Sequence, residues 1–258
     1  MGAADVLRNS FKDKLKRGEV VSSMTVRLIR TTEIARIAKT AGFDMLYIDL
    51  EHSSLSLDAT GQICMAALDL GLFPAVRVPA LQAAMGLPSS FAPHVRSAAE
   101  AREVVKAAKF PPKGERGNVA PMPHFHYRSF PAAEANAVVN DATMVIVQFE
   151  SAQAVENAEE IASVDGVDIV LVGLNDYLAD IGLTGQYDHP KVRECYSRVI
   201  EACRKHGKHC GVGGLASRPD LIAEYVKLGA RYVSSGTDVA FLMRAAADTA
   251  KQVKEIKL

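Results

Sequence analysis

Met45-Leu46-Tyr47-Ile48 runs directly into Asp49-Leu50-Glu51-His52-Ser53. Four apolar or aromatic residues give way at once to two acids and an imidazole, and a turn-forming serine pair, Ser53-Ser54, comes next. A buried strand that surfaces into ionisable side chains delivers chemistry to one end of a parallel sheet. Asp49 and His52 stand three apart. That spacing lets a carboxylate hold an imidazole in one tautomer and raise its basicity, and it equally suits a plain cap on the next element.

Outward from this stretch the pattern repeats. A leading helix is predicted over 3–18, then a strand over Val20–Thr25. Ile34, Ile37, Ala38 and Ala41 fall at helical spacing, and Gly42 follows as a stop. Strand two is Met45–Asp49, followed by a helix over Leu57–Leu70 with Asp58 as its cap. Strand three is Phe73–Pro79, and a short strand-like piece precedes His94. Further strands are expected over Met144–Glu150, Val167–Gly173, Cys210–Gly213 and Arg231–Ser235. Helices are expected over 98–109, 132–139, 152–161, 189–206, 219–228 and 238–256.

Some eight strand–helix alternations in 258 residues predict a single (β/α)8 TIM barrel over residues 1–258, an α/β fold with helices outside a closed parallel sheet. No GxGxxG follows the first strand, which argues against a dinucleotide fold. The rhythm breaks once. Ala80–Ala92 is too short for a full helix and strand, so a shortened third β/α unit is expected, with reduced thermal stability.

Composition removes several classes of function. Lys+Arg and Asp+Glu are both 30, without a basic run, so no nucleic-acid partner is expected. Apolar runs are strand-length, and the first residues lack an apolar core. We therefore expect no membrane partner and no secretory signal. Cys64, Cys195, Cys203 and Cys210 show no CxxC spacing and read as reduced packing residues of a cytoplasmic protein.

Catalytic side chains of a barrel stand at the C-terminal strand ends. Those ends supply Asp49, Glu51 and His52, then Arg77, His94, Gln148 and Glu150, then Asp176 through Gly173-Leu174-Asn175. Glu150 and Asp176 are carboxylates from neighbouring strands, a donor set suited to Mg²⁺ or Mn²⁺, with Co²⁺ a further candidate. Such a cation would act as a Lewis acid on a substrate carbonyl. Arg77 offers a fork for an enolate oxygen or a carboxylate, or else a structural pair for Glu51. Taken singly, each acid is as well explained as a cap or an ion-pair member; their shared rim is what points to chemistry beside the carbonyl of a small anionic acid.

Ala41-Gly42-Phe43-Asp44, Ile48–His52, Val76-Arg77-Val78-Pro79, Pro93-His94-Val95, Phe110-Pro111-Pro112 with Arg116-Gly117, Gln148-Phe149-Glu150 and Gly173–Asp176 together resemble the HpcH/HpaI family of metal-dependent pyruvate aldolases. Val26–Ala38 and Thr60-Gly61-Gln62 are similar to its macrophomate synthase-like branch. The resemblance implies Glu150 and Asp176 as metal ligands and Arg77 as the residue steadying a pyruvate enolate. It implies a His52–Asp49 acid–base dyad acting through a metal-bound water. It further implies Gln148 in the pocket, and the backbone of Gly173, Leu174, Asn175 and Asp176 as the receiver of the pyruvate carboxylate. The implied activity is cleavage of 4-hydroxy-2-oxo acids to pyruvate and an aldehyde, with oxaloacetate decarboxylation as the alternative. Partners are then small 2-oxo acids and aldehydes, and the implied assembly is a homo-oligomer, a hexamer. Two rivals stand beside it: a non-catalytic barrel, and a phosphate-recognising enolate enzyme using Ser234–Thr237.

Overall fold

Side chains alternate across a strand with a period of two, and here each strand sends one set inward and the other against a helix. The computed structural model describes residues 2–78, 89–118 and 121–256. In chain order, α1 (Ala3–Val6) and α2 (Ser10–Lys16) lead to β1 (Val21–Val26), α3 (Glu33–Thr40), β2 (Met45–Asp49), α4 (Leu57–Asp69) and β3 (Phe73–Arg77). Next come β4 (Ser89–Ala92), α5 (Ala98–Ala108), a 3₁₀ turn (Pro123–Phe125), α6 (Ala132–Ala142) and β5 (Met144–Phe149). Then follow α7 (Ala152–Glu156), α8 (Ala158–Ala162), β6 (Ile169–Gly173), α9 (Leu174–Asp180) and α10 (Pro190–Lys205). β7 (His209–Gly213), α11 (Pro219–Leu228), β8 (Tyr232–Thr237) and α12 (Asp238–Lys254) complete the order.

The strands form one closed barrel in sequence order, every neighbouring pair parallel. The seam closes where β1 pairs with β8, from Val21 opposite Tyr232 to Thr25 opposite Thr237, with one irregularity between. The fold is therefore the (β/α)8 barrel that the alternation predicts. The expected shortening of the third unit falls on residues 79–88, outside the described residues; β4 itself stands between β3 and β5.

Parity sorts the core. Met45, Tyr47, Phe73, Ala75, Phe91, Met144, Ile146, Ile169, Leu171 and Tyr232 fill the interior, and Phe11 and Leu15 of α2 join them. The intervening residues, such as Val145, Val147, Val170 and Val172, pack outward against the helices. Phe11 is fully buried and lies 5.2 Å from Phe73, ring centroid to centroid. Burying such a side chain stabilises by about 1.5–3 kcal/mol.

Local chemistry adjusts several expected boundaries. The leading helix is two pieces, because the Asn9 side chain accepts the Lys12 N–H and starts a new helix. α4 is capped by Ser56, which accepts from Ala59 N, and not by Asp58. The loop before Asp176 is the start of a short helix, α9, which puts Asn175 and Asp176 in its first turn. α12 is distinctive in another way: Asp238 is its only buried residue, and Leu242, Met243 and Val253 are exposed. Among the described residues no helix is long and apolar enough to cross a membrane.

Candidate active site

Inward parity, continued past the last buried residue of each strand, lifts the site side chains to the barrel mouth. Met45 and Tyr47 lead to Asp49, Phe73 and Ala75 to Arg77, and Met144 and Ile146 to Gln148 and then Glu150. The cavity there measures about 360 Å³, and His52, Arg77, Gln148 and Asp176 line it over a floor that includes Tyr47. The Tyr47 ring stacks on Phe91 at 4.3 Å, and the Arg77 guanidinium sits 5.5 Å from its centroid. A stiff aromatic floor thus supports the arginine from beneath.

On the β2/β3 side every charge has an opposite partner. Arg77 donates from Nε to Asp49 Oδ1 at 2.9 Å and from Nη2 to Oδ2 at 2.6 Å, a two-pronged pair that is almost wholly buried. Its Nη1 lies 2.9 Å from Glu51 Oε2. Arg27 adds a second cation, donating from Nε to Asp49 Oδ2 at 2.6 Å. Burial alone would raise the Asp49 carboxyl, but the Arg77 hydrogen bonds and the charges of Arg77 and Arg27 outweigh it and hold the group at about 2. Burial works against the Arg77 charge too, and the Asp49 bonds overcome it, moving that group further up.

These contacts correct the expected dyad. Asp49 Oδ1 accepts the backbone N–H groups of Glu51 and His52, at 3.1 and 3.2 Å, so the three-residue spacing makes a turn cap. Its oxygens are occupied by arginine and backbone, and do not hold the His52 ring. The carboxylate nearest that ring is Glu51, whose Oε2 lies 3.7 Å from His52 Nε2. Asp49 therefore stands as a positioning residue beneath Arg77, while the exposed His52 lines the cavity.

On the β5/β6 side like charges meet. Glu150 is buried, and its carboxyl rises to about 7: burial is the main cause, the His94 N–H opposes it, and the Asp176 charge adds to it. Glu150 Oε2 accepts the His94 backbone N–H at 2.9 Å and lies 2.8 Å from His94 Nδ1; Oε1 accepts from Gln148 Nε2 at 2.7 Å. His94 holds φ at 57°, an uncommon conformation for a residue with a Cβ, and in it backbone and ring meet the same oxygen. His94 Nε2 is also 3.3 Å from Glu51 Oε1, linking the two sides. Gly173 is needed here for space, since a Cβ would stand 2.6 Å from Gln148 Nε2 and 2.7 Å from Glu150 Cγ. Asp176 has no hydrogen bond or ion pair among the described residues.

A divalent cation suits this second side. Glu150 and Asp176 repel one another, and Gln148 Oε1 is buried without a hydrogen-bond partner. No group of three or more His, Cys, Asp or Glu among the described residues is placed to hold a metal. The donor set is thus two carboxylates, leaving other positions to solvent and substrate oxygens, as hard cations of this kind accept. Of the expected site residues, Gly173 and Asn175 also line the cavity; Leu174 is fully buried in the outer core and offers only its backbone. Arg27 was not among the expected residues. The predicted strand one stopped at Thr25, whereas the inward set Val21, Ser23, Thr25, carried one step further, reaches Arg27.

Comparison with known proteins gives one consistent result. A sequence profile described as HpcH/HpaI aldolase/citrate lyase matches residues 28–245. The chain is 36% identical over 261 residues to a 4-hydroxy-4-methyl-2-oxoglutarate aldolase of Hapsidospora irregularis, covering 97% of this chain and 96% of that one. It is 32% identical over 240 residues to a 2-keto-3-deoxy-L-rhamnonate aldolase of Escherichia coli, covering 90% and 88%. Among solved structures, the HpcH/HpaI aldolase from Desulfitobacterium hafniense superposes with a TM-score of 0.89 at 32% identity, covering 95% and 97%. Macrophomate synthase superposes at 0.78 with 23% identity, covering 97% of this chain and 88% of its own, a likeness of fold.

Proposed function

The chain belongs to the HpcH/HpaI aldolase/citrate lyase family and is a carbon–carbon lyase of the aldolase type, and from that premise we propose that it cleaves 4-hydroxy-2-oxo acids to pyruvate and an aldehyde or related carbonyl compound. One observation carries the reading: Asp176, Arg77 and Gln148 line one cavity, and the buried carboxylate of Glu150, bonded to Gln148, stands close enough to Asp176 for the two to repel. Glu150 and Asp176 would hold a divalent cation, Mg²⁺, Mn²⁺ or Co²⁺, whose chemistry there is Lewis-acid polarisation of the 2-oxo group.

The protein's own groups do the rest. His52 takes the proton of the 4-hydroxyl, C4 becomes a carbonyl, and the C3–C4 bond breaks. The electron pair of that bond moves into the C2–C3 bond of a pyruvate enolate, which takes a proton at C3 from water to give pyruvate while His52 releases its own to the solvent. Arg77 uses Nε, Nη1 and Nη2 once each on Asp49 and Glu51, so each terminal nitrogen keeps a second N–H for the developing charge. Held by two carboxylates and a ring, that fork needs no reorganisation as charge grows. The backbone from Gly173 to Asp176, at the same rim, receives the pyruvate carboxylate.

Residues 1–258 act as one barrel domain in this reading, and the assembly is a homo-oligomer, with a hexamer as the specific expectation. The exposed apolar side chains of α12 support an assembly. The four free, buried cysteines are consistent with a cytoplasmic setting.

Proton exchange at the pyruvate methyl group, followed by NMR in D₂O, tests enolisation without reference to the second product. Exchange should be fast with Mg²⁺ or Mn²⁺ and vanish with chelator. Absence of exchange from folded protein in the presence of either metal would overturn the reading.

A further inference from the structure

Arg27 is a cavity-lining cation that the reaction just described leaves unused. Its Nε is bound to Asp49, and no other hydrogen bond or ion pair engages its side chain among the described residues. A guanidinium presents two edges that can each grip a carboxylate; with Nε committed, the edge formed by Nη1 and Nη2 remains. Asp49 does not need Arg27 to be satisfied, since Arg77 already gives it two bonds and Glu51 and His52 two backbone N–H groups.

The position is fixed as firmly as the side chain is free. Asp238, buried at the start of α12, accepts the backbone N–H groups of Arg27, Leu28 and Ile29 at 3.0, 2.9 and 2.8 Å. This holds the end of β1 against the end of β8, so little order is lost when Arg27 grips a ligand. Thr25, Ser234 and Thr237 line the same wall with hydroxyls. In the closed strand order, β1 and β8 lie across the barrel from β5. Asp176 and this wall line the same cavity, so a substrate with its 2-oxo end at Glu150 and Asp176 has this wall within the cavity for its other end.

We propose that Arg27 is a specificity-determining residue that binds the carboxylate on the departing carbonyl fragment of dicarboxylic 4-hydroxy-2-oxo acids, the class of acid for which the Hapsidospora irregularis relative is named. The inference rests on the reading of this cavity as an aldolase site and names the residue that reads the far carboxylate. Cleavage of such a substrate yields pyruvate and a second oxo acid.

The test compares 4-hydroxy-2-oxoglutarate with 4-hydroxy-2-oxopentanoate, which differ in a carboxylate or a methyl at C5, using the full chain loaded with Mn²⁺. The wild type should favour the dicarboxylate in kcat/KM by about 10–100-fold, the range of a charge-assisted hydrogen-bonded pair. Arg27→Met should bring that ratio close to one, and Arg27→Lys should keep part of it. The ratio cancels any loss common to both substrates, including one passed through Asp49 to Arg77. A second readout uses the products: inhibition by glyoxylate relative to inhibition by pyruvate should weaken in Arg27→Met. A flat wild-type ratio, or a ratio that survives in Arg27→Met, overturns the assignment while pyruvate exchange leaves the aldolase reading standing. Loss of exchange as well would remove the aldolase reading and this inference with it.

Discussion

The two sides of the barrel mouth use charge in opposite ways. Across β2 and β3, Asp49, Glu51, Arg77 and Arg27 interlock, and the carboxyl of Asp49 is held down at about 2. Across β5 and β6, Glu150 and Asp176 oppose one another, and the carboxyl of Glu150 is driven up to about 7. The first side is at rest without any ligand; the second lowers its energy only when positive charge arrives. The contrast teaches that buried ionisable groups in one site can divide their work. One set fixes geometry through partners it always has, and the other keeps its interaction free energy in reserve for what binds.

The sharpest way to break this contrast is to neutralise the unsatisfied side. Glu150→Gln or Asp176→Asn should abolish both Mn²⁺ binding, read by titration calorimetry, and pyruvate methyl exchange. Activity retained without bound metal in either variant would undo the ligand assignment. A smaller effect is expected between the two sides. His52→Ala should slow exchange by about 10²–10⁴-fold with Mn²⁺ affinity little changed; if affinity collapses instead, His52 belongs to the metal site.

The satisfied side should answer in stability. Asp49→Asn leaves Arg77 buried beside a neutral amide and should cost about 3–5 kcal/mol, visible in a denaturant melt. The pH dependence has a definite sign. A carboxyl lowered in the folded state stabilises above its ordinary value, here 3.8, and that contribution disappears as pH falls toward 2. The stability gap between wild type and Asp49→Asn should therefore narrow between pH 4 and pH 2, by about 2 kcal/mol. A gap that stays constant over that window would mean Asp49 draws its stability from packing.

Much of this arrangement is legible in the chain, for a reason of periodicity. Apolar runs such as Met45–Ile48, Phe73–Val76 and Met144–Val147 end in polar or charged side chains, and parity within them carries Asp49, Arg77 and Glu150 to the barrel mouth, where Arg77 lines the cavity. What one dimension hides is the partner. Asp-x-x-His is consistent with a dyad or with an Asx turn, and only the approach of Arg77, from a strand 28 residues away, decides for the turn. Arg27 is hidden by its place just past a strand end, since β1 closes at Val26 and only the inward parity carried one step beyond Thr25 reaches it. α9 is hidden by its brevity, because seven residues give too little helical period to see.

The clamp formed by Asp238 has a consequence for how the protein is made. Its carboxylate joins amides 209–211 residues earlier in the chain, so the nascent polypeptide carries Arg27, Asp49 and Arg77 long before the residue that seats the first of them is translated. Seven strands can emerge from the ribosome as an open sheet with an unclosed edge. Closure of the β1–β8 seam and completion of the pocket wall then come together, at the end of synthesis, and an interrupted translation product would carry every catalytic side chain while lacking the wall that reads the substrate.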